Sequence, residues 1–370
     1  MLNHYHPSIA MQRLMLAFVL CLIGTTVSSC GASKSLNSSV SSAKGSPGTA
    51  PLFINEANFT EEFDTHVLPV IEQGTKGYFT GVDGAQLYHM AFEHPLAKAR
   101  IVIVPGFTEN TLKYRELIYN FYQAGYSVYI FDPRSQGKSD RLVADREIVW
   151  IARWEDYVTD LKTFIHTIVP HDEKPVLIFS HSMGGAVVAD ALTSEPDLAR
   201  AAVINAPIVG LNTGKYPLAI AKSLAYGAVL LGKGKSYSTG QAPYDGDVWT
   251  IDVASTSSVP RHERYKRDIE IADEQQGGSS FNWVKQVFIM NDKMAKESVV
   301  SKVTTPILMG QAGHDGFALP GAQAKYCSMA KNCMLRSQPS SRHEIFNEVD
   351  AIRNPWIQEI LAFYANRLDP

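Results

Sequence analysis

One stretch constrains this chain more than any other: Val176-Leu177-Ile178-Phe179-Ser180-His181-Ser182-Met183-Gly184-Gly185, followed by Ala186-Val187-Val188-Ala189. It joins an apolar run, a Ser-x-Ser-x-Gly-Gly turn and a small-residue run suited to a helix packed on a sheet. The turn is one glycine short of Gly-x-Ser-x-Gly, the nucleophile elbow, in which a sharp strand-to-helix turn lifts one serine hydroxyl above a sheet. Strand and helix nearly touch there, so the residues two before and two after that serine must be small. Ser180 replaces the first glycine, and its hydroxymethyl group is about the largest side chain expected against the following helix.

Strands and helices alternate on both sides of this stretch. From about Phe53 the pattern is globular. Gly77 to Phe92 predicts a hairpin turning at Asp83-Gly84. Ile101 to Val104 is a short, continuously apolar strand of the kind buried in parallel sheets, and it runs into Pro105-Gly106-Phe107-Thr108-Glu109. Thr111 to Ala124 predicts a helix ended by Gly125. Ser127 to Phe131 is the next strand, closed by Asp132-Pro133-Arg134-Ser135-Gln136-Gly137-Lys138-Ser139. Trp154 to Val169 has helical spacing and Pro170 stops it. The elbow strand, its helix to about Ser194 and a strand from Ala201 to Asn205 follow. This order predicts an α/β architecture, a mostly parallel, doubly wound sheet with right-handed connections. A length of 370 residues accommodates one such domain, taken as residues 53–370. A net charge of -3 argues against a nucleic-acid partner. No apolar run is long enough for a mature transmembrane span.

The amino terminus has its own layout. Met11 is an alternative start; Arg13 then precedes the apolar core Leu14 to Ile23, the arrangement of a secretory signal peptide. It ends in Val27-Ser28-Ser29-Cys30-Gly31, which resembles the lipobox of bacterial lipoproteins. The resemblance implies removal of residues 1–29, lipid on the thiol and new amine of Cys30, and attachment to the cell envelope. Because Gly31 is not the aspartate that retains lipoproteins at the inner membrane, the expected site in a Gram-negative cell is the outer membrane, facing the periplasm. Several acyl chains, at about 0.8 kcal/mol per buried methylene, anchor a protein firmly. The alternative is ordinary cleavage and release. Residues 30–52, rich in Ser, Gly, Ala and Lys, read as a flexible tether. Cys327 and Cys333 are expected to form a disulfide in an oxidising compartment, two buried thiols being the alternative. Neither Cys-x-x-Cys nor clustered histidines accompany them, so no metal is expected, and no cofactor is expected either.

The succession of strand, Pro-Gly turn, helix, strand, Asp132-x-Arg134-x-x-Gly137-x-Ser139, helix and His181-Ser182-Met183-Gly184-Gly185 resembles the α/β-hydrolase family. Within it, the chain is similar to the monoacylglycerol lipase, lysophospholipase and serine aminopeptidase group. Ala206-Pro207 and His343-Glu344-Ile345 with Glu348 and a terminal helix also fit. The resemblance spans roughly Gly77 to the carboxyl end and is weakest between Ile208 and Phe281. Pro105 stands where most relatives have His, and Ser180 where many have Gly. Both departures concern turn geometry.

The family takes its catalytic residues in the order Ser, acid, His. After Ser182 the histidines are His262, His314 and His343. His262 lies among charges and is expected on a solvated face. His314 directly precedes Asp315, too close to be oriented by it. His343 sits in a loop before a terminal helix, where the family's base belongs. The acid should follow a strand; Pro306 to Gly310 is read as that strand and Gln311 to Gly316 as its loop, which makes Asp315 the candidate. Asp292 is the rival, in a helix expected over Asn291 to Glu297. The resemblance further implies oxyanion donors at the backbone N–H groups of Met183 and Phe107.

Between Asn205 and Thr305 the chain leaves the sheet for about a hundred residues, read as an inserted helical lid over residues 208–290. Ile208 to Gly232 is apolar and helix-compatible, and Gly277-Gly278-Ser279-Ser280 is expected as a hinge. Leu218 to Leu231, with Tyr226, is expected either to line an acyl-chain channel or to form a plain helical core. The implied activity is hydrolysis of carboxylic esters of single-chain acyl lipids, of lysophospholipase or monoacylglycerol lipase type, through an acyl-enzyme. The alternative is a short-chain carboxylesterase or an aminopeptidase-like amidase on the same residues. A binding module that kept the fold without the chemistry is disfavoured by the intact Ser182, Asp315 and His343. The oligomeric state is left open.

Overall fold

The computed structural model describes residues 50–368. The expected signal peptide, Cys30 and nearly all of the tether lie outside the described residues. An eight-stranded sheet organises the chain, with strands β1 (Thr75–Thr80), β2 (Gln86–Phe92), β3 (Arg100–Val104), β4 (Ser127–Phe131), β5 (Val176–His181), β6 (Ala201–Asn205), β7 (Ile307–His314) and β8 (Cys333–Arg342). Their spatial order is β1-β2-β4-β3-β5-β6-β7-β8. β2 pairs antiparallel with both β1 and β4, and the remaining pairs are parallel.

The helices are α1 (Phe59–Glu62), α2 (Leu68–Glu72), α3 (Arg115–Gln123), α4 (Trp154–Thr167), α5 (Ser182–Ser194), α6 (Leu218–Leu230), α7 (Val259–Ile271), α8 (Phe281–Met294), α9 (Glu297–Val300), α10 (Pro320–Met329) and α11 (Asp350–Leu368). Successive side chains of a strand point to opposite faces, and both faces here are apolar. Val102 and Val104 join one core with α4, α5, α8 and α10, while Ile101 and Ile103 join another with α3 and α11. Continuously apolar strands such as β3 and β4 are the sequence signature of a sheet covered on both sides.

Several elements differ from the sequence expectation. The helical run over residues 56–72 was not expected; Phe59, Phe63, Val67 and Val70 bury against Tyr119. Strand β7 continues through Gln311 to His314 instead of ending at Gly310, because β8 pairs along that length. The helix expected over Asn291 to Glu297 is the end of α8 followed by the separate α9. His262, expected in solvent, is buried in α7, its Nε2 3.2 Å from the carbonyl of Trp249 and its ring against that indole. The glycine-serine stretch expected as a hinge is strapped to its surroundings: Gly277 N–H donates to Glu147, Ser280 N–H donates to Val149, and Val149 N–H donates to Gly278.

Helix α6 is not the plain helical core that its apolar residues could have formed. Only Ala225 is buried, while Leu218, Ile220, Leu224, Tyr226 and Leu230 are exposed. Its partner is α8, through contacts that include the Lys222–Asp292 ion pair. Among the described residues no helix is long and apolar enough to cross a membrane.

Cys327, near the end of α10, and Cys333, at the start of β8, are joined by a disulfide, with Cα atoms 5.2 Å apart and six residues of separation. Closing so short a loop contributes about 2 kcal/mol through the unfolded state. Cys327→Ser/Cys333→Ser is therefore expected to melt a few degrees lower, and a reductant should lower the parent's melting temperature similarly while leaving the variant unmoved.

Candidate active site

The site is built where β5 passes into α5. Ser182 has φ 53°, the left-handed conformation an elbow imposes on its central residue. Gly184 explains why the turn closes: a Cβ there would stand 2.3 Å from the Val104 carbonyl oxygen and 2.4 Å from that of Pro105, both immovable backbone. Ser180 plays a different part from the one expected. Its side chain is fully buried and its hydroxyl donates to the Val203 carbonyl of β6 at 3.1 Å, so it is fastened to the neighbouring strand, not merely tolerated beside the helix.

Three of the expected residues meet. His343 Nε2 lies 2.7 Å from Ser182 Oγ, and His343 Nδ1 lies 2.8 Å from Asp315 Oδ2. Asp315 directly follows β7, and its other oxygen accepts the N–H groups of Phe317 and Ala318 at 2.8 and 2.9 Å, which fixes the carboxylate plane. His343 follows β8, so register between the last two strands brings acid and base together. His314, though next to Asp315, is exposed on the strand end and takes no part. Asp292 pairs with Lys222 at the surface.

Burial disfavours charge at both members of this pair, but their mutual attraction outweighs it. Asp315 is held below the usual carboxylate range by His343 and the two backbone donors. His343 is held above the usual imidazole value by Asp315, with Glu109 and Glu344 adding to the effect. A base must be neutral to accept a proton, so kcat/KM is expected to rise with pH through a value above the ~6.5 of free imidazole. A pH–rate profile checks this. For stability the signs are opposite: Asp315's contribution is lost as pH falls through its lowered folded value, and His343's is lost as pH rises through its raised one.

The turn after β3 faces the elbow. Its shape depends on Thr108, at φ 56°, and on Gln136, which the sequence reading passed over. Gln136 Nε2 donates to the carbonyls of Gly106 and Glu109 at 2.9 and 2.7 Å, while its Oε1 accepts the Thr108 N–H at 3.0 Å. Phe107 N–H has no protein acceptor among the described residues. Met183 N–H lies in the first turn of α5, where helix geometry leaves donors free. Both expected oxyanion donors thus sit on segments flanking Ser182.

Asp132 and Arg134 are structural. Asp132 accepts the N–H groups of Thr111 and Lys138 at 2.7 and 2.8 Å, and burial with nearby Glu274 pushes it up to about 7. Arg134 bonds to Asp160 of α4 through Nε at 2.5 Å and through a terminal nitrogen at 2.7 Å.

The segment between β6 and β7 grips the same turn. The Trp283 ring lies 4.4 Å from that of Phe107, Tyr265 Oη donates to the Thr108 carbonyl at 3.2 Å, and Asn110 donates to Glu274 at 2.8 Å. Phe317, half exposed, places its ring 5.0 Å from that of His343. No cluster of metal-binding side chains occurs among the described residues.

Known proteins resemble this chain along most of its length. The family described as serine aminopeptidase, S33, matches residues 95–350. Lysophospholipase L2 of Escherichia coli is 28% identical over 311 residues, covering 80% of this chain and 89% of that protein. Monoacylglycerol lipase of Mycolicibacterium smegmatis is 26% identical over 276 residues, covering 73% and 90%. Among solved structures, a soluble variant of monoglyceride lipase from Saccharomyces cerevisiae superimposes with a TM-score of 0.63 at 18% identity, covering 80% of this chain and 95% of that one. A carboxyl esterase from Bacillus coagulans gives 0.64 at 16% identity, covering 80% and 99%. With the sheet order, the elbow and these matches in place, the chain belongs to the serine aminopeptidase S33 family and is a hydrolase of the α/β-hydrolase fold.

Proposed function

We propose that the protein is a serine ester hydrolase acting on single-chain acyl lipids, of lysophospholipase or monoacylglycerol lipase type. The observation that carries this reading is the unbroken chain from Ser182 Oγ through His343 to Asp315, at 2.7 and 2.8 Å. In it, neutral His343 takes the proton of Ser182 as Oγ attacks the ester carbonyl, then passes that proton to the leaving alcohol. Asp315 fixes the imidazole tautomer and stabilises the imidazolium without itself becoming protonated. The N–H groups of Met183 and Phe107 receive the developing oxyanion; one such donor is worth roughly a hundred- to a thousand-fold in rate. Water then attacks the acyl-enzyme by the same proton route.

A lipid is favoured over a peptide by two features. The relatives named for lipid substrates align along most of their length, and α6, in the segment between β6 and β7, exposes Leu218, Ile220, Leu224 and Leu230. The test offers the protein lacking residues 1–30 lysophosphatidylcholine, monoacylglycerol, a short p-nitrophenyl ester and an aminoacyl anilide. Preferred turnover of either lipid upholds the proposal. Turnover confined to the anilide overturns it in favour of an amidase, and turnover confined to the short ester in favour of a carboxylesterase.

We also propose that Cys30 carries the lipid that holds the enzyme to the cell envelope. Cys30→Ser is expected to move the protein from the membrane to the soluble fraction; unchanged sedimentation with membranes would count against the anchor.

A further inference from the structure

Behind the three residues just discussed lies a second buried cluster that the reaction as written does not use. Glu109 is buried within the turn after β3, and every neighbour within reach of it is a donor. Gly106 N–H donates to its Oε2 at 2.6 Å, Tyr114 Oη donates to the same oxygen, and Lys113 Nζ bonds to Oε1 at 3.1 Å. His181, the residue before Ser182, places Nδ1 3.1 Å from the same carboxylate. The other ring nitrogen, Nε2, lies 3.3 Å from the main-chain carbonyl oxygen of His343. Carboxylate and imidazole both press on Gly106, where a Cβ would meet Glu109 Oε2 at 2.6 Å and His181 Nδ1 at 3.0 Å.

Counting protons gives the cluster its character. A carboxylate that accepts from an amide, a phenol and an ammonium has no need of a proton of its own, and burial is outweighed by His181 and Lys113, which hold Glu109 well below the usual carboxylate range. A main-chain carbonyl only accepts. An imidazole placed between two acceptors satisfies both only when both ring nitrogens carry hydrogen. Charge agrees with this count: Lys113 also pairs with buried Glu344, so the cluster holds two carboxylates and one ammonium, and a cationic His181 brings the buried sum to zero. An unbalanced buried charge costs several kcal/mol.

We propose that Glu109 and His181 form a second, ionised acid–imidazolium pair that positions the catalytic machinery, His181 by holding the His343 carbonyl and Glu109 by holding the Gly106 N–H. The pair ties the loop of the base to the turn of the oxyanion donor, since Phe107 follows Gly106 directly. Neither residue touches substrate, and both act through their neighbours. The inference rests on the proposed function for its kinetic consequence and on geometry alone for the protonation of His181. The groups facing the imidazole are Glu109, Lys113 and Tyr114 from the turn and the short helical stretch after it, and His343 and Glu344 from the loop after β8, with Tyr265 of α7 beyond Lys113 and Asp315 from the loop after β7 beyond His343.

The experiment compares His181→Gln, Glu109→Gln and the double variant with the parent on the best ester of the substrate panel. Misplacing reacting groups by about 1 Å costs on the order of 10²-fold. Each single variant is therefore expected to lose ten- to a hundred-fold in kcat with KM within twofold, and the double variant to lose no more than the worse single one. Independently of any activity, ¹⁵N-histidine NMR of the unsubstituted protein at pH 7 should find both His181 nitrogens protonated. A neutral His181 ring overturns the proposal, as do additive kcat losses or changes confined to KM. Failure of every ester to turn over would sink the proposed function while the NMR result still decides the ion pair, and the NMR measurement also stands if the variants do not fold.

Discussion

Ser182→Ala is expected to lower kcat on the best ester by roughly 10⁶-fold, the loss seen when a triad serine is removed and only binding and oxyanion stabilisation remain. The fold should hardly notice. Alanine meets no more steric resistance at φ 53° than serine does, and the hydroxyl makes one hydrogen bond, to His343 Nε2 at 2.7 Å. Melting temperature is expected to stay within a few degrees of the parent, so the kinetic loss is attributable to chemistry. Turnover above a hundredth of the parent's would remove Ser182 from the nucleophile's role.

Asp315→Asn is expected to cost about 10⁴-fold in kcat, for a reason that can be followed atom by atom. Oδ1 of Asp315 accepts the Phe317 and Ala318 N–H groups, and an asparagine oxygen keeps both bonds. The amide nitrogen then takes the place of Oδ2 and donates to His343 Nδ1, where the carboxylate had accepted. The ring is forced into the tautomer with hydrogen on Nε2, facing Ser182, and it can no longer take the serine proton. The surviving activity should also lose its raised acid limb, because the charge holding His343 above the ordinary imidazole value is gone. A pH–rate profile of the variant, with the limb moving downward, checks the second point separately from the first.

The strands and the site residues were legible for different reasons. β4 and β6 were readable to the residue because fully buried parallel strands are short apolar runs between turn residues. Ser182 was legible through local sterics, since Gly184 must be glycine where its Cβ would strike two carbonyls. Asp315 and His343 came from chain order, a family property, and geometry then brought them within hydrogen-bond reach. What stayed hidden was polar and long-range. Edge strand β8, Cys-Met-Leu-Arg-Ser-Gln-Pro-Ser-Ser-Arg, has no apolar alternation and is held by pairing with β7. Gln136 and Glu109 act through contacts that composition does not encode. Buried Arg261 shows the same blindness: it sits in a charged stretch that reads as solvated, yet it bonds to Glu116 and Asp350 from two other elements.

Helix α6 is apolar and yet exposed. An apolar helix inside a globular pattern is usually core, yet here the sheet faces are already covered by α3, α11, α4, α5 and α10, and no interior surface is left for it.

Nucleophile and base stand 161 residues apart along the chain, and acid and base only 28. A nascent polypeptide that has emerged just past β7 carries Ser182 and Asp315 but not His343. The last strand in the chain, β8, is the one that delivers His343. Reactive power therefore arrives late and all at once, and a ribosome-bound or unfolded chain lacks the proton acceptor that the proposed reaction needs. Parallel pairing of distant segments is slow because loop closure must be met before contacts repay it. For an enzyme with the proposed substrates, that slowness keeps the activity off until the fold is complete.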